Sequence, residues 1–107
     1  MLLLMDKTNN FQLKLLKYNQ AQKEVSINEA ILVLDAMASR VAIDFVEGLP
    51  GTADVGEMFI LSAKDGGKIA LRVNGWRYFT PIEGWEFWIQ KKNLKYRFHN
   101  KKWDVVK

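Results

Sequence analysis

Between residues 27 and 41 the apolar side chains Ile27, Ala30, Ile31, Leu34, Met37, Ala38 and Val41 recur every three or four positions. That spacing lines up one face of an α-helix. Ser26 followed by Glu29 fits a capping box. In it the Ser26 hydroxyl accepts from the Glu29 N–H and the Glu29 carboxylate accepts from the Ser26 N–H, so the helix is predicted to start at Ile27. The apolar face is expected against a core. Asn28, Asp35 and Ser39 fall on the opposite side, where Leu32 and Ala36 interrupt them, and Val33 broadens the apolar arc. The Leu32–Ala36 strip therefore calls for a second burial partner, and a neighbouring copy would supply one.

Upstream, Phe11, Leu13 and Leu15 alternate with polar residues until Leu16 breaks the period. This stretch reads as a short strand or an extended arm, placed either across a neighbouring subunit or back on its own sheet. Residues 42–45 read as a short strand or the run-out of the helix, and residues 47–54 as a loop rich in Gly and Pro. Six short runs then follow at residues 57–62, 68–73, 76–80, 86–90, 94–98 and 103–106, each rich in aromatic and β-branched residues. Turn signals separate them, of which Asn74-Gly75 is the strongest, since a two-residue type I′ turn needs positive φ at both positions. The prediction is an α+β fold. One helix packs on an antiparallel meander of about five to six short strands, with residues 1–17 a flexible N-terminus and extended arm and residues 18–107 a single domain. Ile69, Leu71 and Val73 alternate with Lys68 and Arg72 as Leu94, Tyr96 and Phe98 do with Lys95 and Arg97. That echo predicts one sheet with a buried and a basic face.

A chain of 107 residues with 49% hydrophobic content is one domain with one core. It has no cysteine, so disulfides, thiolate metal sites and a Cys nucleophile are excluded. Sixteen Lys plus Arg against 12 Asp plus Glu give a net charge of +4, which suits a solvated surface and tolerates an anionic partner. Asp6-Lys7 ends the apolar run Met1–Met5 too early for a signal h-region. No stretch reaches the ~20 apolar residues of a membrane span, so a soluble chain without membrane insertion is expected.

Catalysis finds few candidates. The single histidine, His99, lies in a predicted turn without a Ser or Cys neighbour in sequence, and the carboxylates are scattered. Gly66-Gly67 lacks the Lys-Ser/Thr of a phosphate loop. No enzyme, cofactor or metal is expected. The enriched class is aromatic: Trp76, Tyr78, Phe79, Trp85, Phe87, Trp88, Tyr96, Phe98 and Trp103 crowd the last third. Trp76 and Tyr78 share one parity, opposite to Arg77 and Phe79, and Trp88 shares the side of Glu86. These aromatics serve as core or subunit interface, or, where exposed beside Lys and Arg, as a platform for sugars or unpaired bases. Lys91, Lys92, Lys95, Arg97, Lys101, Lys102 and Lys107 make the end of the chain basic, but no nucleic-acid reader motif accompanies them.

The run Gln20-Ala-Gln-Lys-Glu-Val-Ser-Ile-Asn-Glu-Ala30, then Leu34-Asp35-Ala36, Asn74-Gly75-Trp76, Pro81-Ile-Glu-Gly-Trp85 and Trp103, resembles in order a small domain of unknown function. That domain recurs in tailed-phage and gene-transfer-agent structural proteins. The resemblance implies a non-enzymatic virion structural protein, made in the host cytoplasm: a capsid decoration, a fibre or spike base, or an adaptor of the tail. It further implies a homo-oligomer, a trimer as first guess, docked on a capsid, tail or fibre protein. On this reading Phe11, Leu13, Leu15, Leu32 and Ala36 form the assembly interface. Gln20, Gln22, Lys23 and Asn28 tie the lead-in to the helix start, beside the Ser26–Glu29 cap. Trp76, Tyr78, Trp85, Trp88 and Trp103 supply a partner or ligand surface. A carbohydrate-binding module contacting a host glycan is the alternative; a basic nucleic-acid-associated protein is a further one, though nucleic acid is not the expected partner.

Overall fold

The computed structural model describes residues 7–15, 21–62 and 65–107, with backbone alone for residues 21–26. Helix α1 spans Ala21–Ser39. Ala, Gln, Lys and Glu at its beginning are strong helix formers, and the helix runs through them. Ser26 is therefore an interior helical residue and not a cap. The helix ends where Arg40 turns to φ 52° and its N–H bonds back to the Ala36 carbonyl at 2.9 Å, an αL stop in a position that usually favours glycine.

Among the described residues eight strands follow: β1 Val41–Ala42, β2 Phe45–Val46, β3 Met58–Leu61, β4 Ile69–Arg72, β5 Trp76–Phe79, β6 Glu86–Ile89, β7 Leu94–His99 and β8 Lys102–Val105. The fold is α+β, and the six late strands match the six sequence runs closely. Instead of one meander they form two mixed four-stranded sheets, ordered β1-β6-β7-β8 and β2-β3-β4-β5. The two hairpins that echo each other thus lie in different sheets. Residues 40–46 stitch the sheets together. On one side Trp88, Gln90 and Lys91 N–H groups donate to the carbonyls of Arg40, Ala42 and Ile43. On the other, Ile43 donates to Met58 and Ile60 to Asp44. Each of these pairings is parallel and only two residues long.

Both sheets share one core of Met58, Ile60, Ile69, Leu71, Val73, Phe87 and Ile89, joined by Ala42 and by Leu32 and Ala36 of the helix. Phe45 of β2 meets Tyr96 of β7 edge-on at 4.9 Å, a contact that links the two sheets, and within the β1-β6-β7-β8 sheet Phe87 meets Trp103 at 5.6 Å. The Trp103 indole N–H donates to the Gly67 carbonyl at 2.9 Å. Gly67 sits at φ 67°, and a Cβ there would meet the Trp103 ring at 2.9 Å, so this turn requires glycine. The β4–β5 connection at Asn74-Gly75 has no positive φ; the two-residue turn with positive φ at both positions is Asn100-Lys101, at 56° and 66°.

Candidate functional site

The helix presents the opposite face from the one its periodicity suggests. Asn28, Leu32, Asp35 and Ala36 are buried, whereas Ile27 is 47% and Leu34 67% exposed, with Ala30 and Ala38 exposed beside them. At 100° per residue these four make one stripe. Leu32 and Ala36 are core residues, each 1% exposed. Their second burial partner is the shared sheet core, and this corrects their placement in an assembly interface.

The cause of the inversion is Asp35. Residues 7–15 do not extend as an arm; Lys7 bridges Lys14 and the Thr8 N–H donates to the Leu13 carbonyl at 2.9 Å, closing a tight loop. That loop delivers four donors to one carboxylate. The Thr8 hydroxyl at 2.6 Å and the Phe11 N–H at 2.8 Å reach Oδ1, and the Asn10 N–H at 3.0 Å and Nδ2 at 2.9 Å reach Oδ2. Burial raises the Asp35 pKa, but the Thr8, Phe11 and Asn10 hydrogen bonds outweigh it and hold the group below the ordinary carboxylate range. Asn9 Nδ2 donates to the Val55 carbonyl, so the same loop also grips the β2–β3 connection. Within it Leu15 is buried, while Phe11 and Leu13 are 54% and 44% exposed; these two lie on the segment that Asp35 holds against the helix.

Among the motif residues, Gln20 lies outside the described residues, and Gln22 and Lys23 are helical with side chains that are not described. Asn28 is buried and partnered. Glu29 pairs with Arg77 of β5 at 3.1 Å, tying the helix to the edge of its sheet. The alternation of the aromatic residues holds. Trp76 and Tyr78 pair with Arg72 and Ala70, and Arg77 and Phe79 with Leu71 and Ile69. Trp103 and Trp85 pack against the core, and Trp76 packs on Phe59 at 6.0 Å with the Arg72 guanidinium over its ring. Tyr78 and Trp88 stand outward, 50% and 38% exposed.

On the outer face of the β1-β6-β7-β8 sheet, Arg97 donates to Glu86 Oε2 through Nε at 2.8 Å, and Lys95 lies 3.6 Å from Glu86 Oε1. The Arg97 hydrogen bond is the main cause that lowers the Glu86 pKa. His99 pairs with Glu83, whose pKa is lowered first by that bond and then by the Asn100 N–H. Among the described residues no group of three His, Asp or Glu side chains is placed to hold a metal ion, and no helix is long and apolar enough to cross a membrane. Arg40 and Asp35 carried no sequence signal of their roles: the αL stop lacks a glycine, and the loop that Asp35 holds is distant in sequence.

Residues 27–104 match a family described as a protein of unknown function, DUF2793. No curated protein and no solved structure matches the chain.

Proposed function

The chain belongs to the DUF2793 family, and from that premise we propose that it is a non-enzymatic structural component of a phage or phage-like particle that associates with itself. The observation that carries the reading is the exposed apolar stripe Ile27, Ala30, Leu34 and Ala38 on α1. Leucine and isoleucine this open on a helix, on a chain that also exposes Phe11 and Leu13, are the composition of a surface that a partner covers. The ordered motifs from Gln20 to Trp103 support the virion class and attachment to a second virion protein of the capsid, tail or fibre. A closed ring of copies, a trimer first, would place equivalent stripes against one another.

Light scattering on the purified chain tests this. A discrete oligomer is expected, with Leu34→Glu giving folded monomers. A wild-type chain that stays monomeric at high micromolar concentration, or an oligomer indifferent to Leu34→Glu, overturns self-association through this face.

A further inference from the structure

Where α1 ends, a groove of about 330 Å³ opens between Ser39-Arg40 and the outer face of β6 and β7, with Glu86, Trp88 and Lys95 on its sheet side. Its size is at the small end of ligand sites, ~300–1,000 Å³. Alternation along β6 sends Phe87 and Ile89 into the core and Trp88 outward. The other three tryptophans pack on the core, on a ring or under a guanidinium; Trp88 has no ring, cation or side-chain hydrogen-bond partner among the described residues. It stands between its cross-strand partners Val41 and Lys95.

The charges around this ring are unbalanced. Arg97 occupies Glu86 Oε2, while Lys95 is 3.6 Å from Oε1, a loose contact that leaves that oxygen free to accept a further hydrogen bond. Arg40 has no ion-pair partner among the described residues and lies across the groove from them. The backbone at Arg40, φ 52°, is one that glycine adopts with less strain. A long cationic side chain stands at a helix stop where the fold alone favours its absence, and it lines the same groove as the exposed tryptophan.

We propose that this groove binds an acidic carbohydrate. A pyranose ring stacks its apolar face on Trp88, its carboxylate is met by Arg40 and Lys95, and its hydroxyls donate to Glu86 Oε1 and the Ser39 hydroxyl. Glu86 decides against single-stranded nucleic acid, because its free Oε1 beside the aromatic needs a hydrogen-bond donor, which sugar hydroxyls supply and a phosphate backbone does not. A run of stacked bases also needs successive aromatics, and Trp88 is the one exposed aromatic in this groove. The proposal goes beyond the assembly reading and does not depend on it: the groove adjoins the stripe at Ala38, which lines both, but the residues that meet the sugar, Ser39, Arg40, Glu86, Trp88 and Lys95, are not part of the stripe.

The probes are trigalacturonate and α2,8-trisialic acid, with maltotriose as the neutral sugar and a ten-nucleotide oligo-dT as the nucleic acid. Each is titrated into the full chain at physiological salt, following tryptophan fluorescence and the Trp88 indole N–H by NMR. At least one acidic sugar is expected to saturate and to shift the Trp88 indole, with binding weakened about tenfold or more in Trp88→Ala and in Arg40→Gly, the loss of one stacking or one charge-assisted contact. Arg40→Gly also keeps loss of binding apart from loss of fold, because it relaxes the backbone while removing the cation. Three results overturn the proposal: neither acidic sugar saturates, maltotriose binds as tightly, or oligo-dT alone shifts the Trp88 indole. Binding that persists in both variants overturns it equally, whatever the oligomeric state.

Discussion

Replacing Asp35 by alanine removes the acceptor that the whole of residues 8–11 is folded around. The carboxylate is 2% exposed and accepts four hydrogen bonds. Hydrogen bonds to a charged group contribute ~1.5–3 kcal/mol each. The four do not add, because the buried carboxylate first loses its hydration, at a cost of several kcal/mol. The variant can also release the loop so that Thr8, Asn10 and Phe11 bond to water, which caps the loss. A net destabilisation of ~3 kcal/mol follows from these terms. For a 107-residue chain with an unfolding entropy of ~0.22 kcal/mol/K, this is a Tm lower by about 13 °C. Thermal unfolding of both proteins from pH 7 down to pH 2 supplies the assay. The folded pKa is depressed, so the contribution is complete above the unfolded value of ~3.9 and is lost as pH falls through the folded value. The gap between wild type and Asp35→Ala should be wide at pH 7 and close in strong acid. A gap under ~0.5 kcal/mol at pH 7, or one unchanged down to pH 2, would refute the reasoning.

Gly67→Ala should lower stability by about 2–3 kcal/mol in urea unfolding, combining an unfavourable positive φ with the approach to the Trp103 ring; a neutral result would mean that the turn is not as tight as described. Arg40→Gly should raise stability by about 0.5–1 kcal/mol, the αL strain relieved less the extra chain entropy of glycine, and a lower Tm would contradict it. Hydrogen exchange at the Phe11 amide should be slow in the wild type and fast in Asp35→Ala, while the Ile69 and Leu71 amides of β4 stay protected in both.

Strand alternation was most legible in β6 and β7, where one face is covered and the other wet, whereas β3 and β4 are buried on both faces. Phe87 and Ile89 against Glu86 and Trp88, or Tyr96 and Phe98 against Lys95 and Arg97, carry a period of two that nothing local contradicts. The division into two sheets was not, since β1 and β2 are two residues each and their parallel partners lie far along the chain. The helix misled for a different reason. Residues 30–34 are apolar without a break, so periodicity scarcely distinguishes its faces, and the choice falls to Asp35, a polar residue that sequence patterning places in water. A buried carboxylate satisfied from a loop 24 to 27 residues upstream leaves no local trace. Asn74-Gly75 misled in the same way: the type I′ conformation fell to Asn100-Lys101, where His99 and Lys102 are paired across the strands. Of the candidate ligand residues, Trp88 was legible from its parity with Glu86, whereas Arg40 comes to the groove only through the end of α1.

Which face of α1 is buried is tested most directly by urea unfolding of Leu34→Glu and Leu32→Glu at low protein concentration. The structure requires Leu34→Glu to stay within ~0.5 kcal/mol of the wild type and Leu32→Glu, which puts a carboxylate in the shared core, to lose 4 kcal/mol or more, ~2–5 from the cavity chemistry alone. A folded Leu32→Glu beside an unfolded Leu34→Glu would restore the helix face that the sequence periodicity favours and remove the basis for the assembly surface.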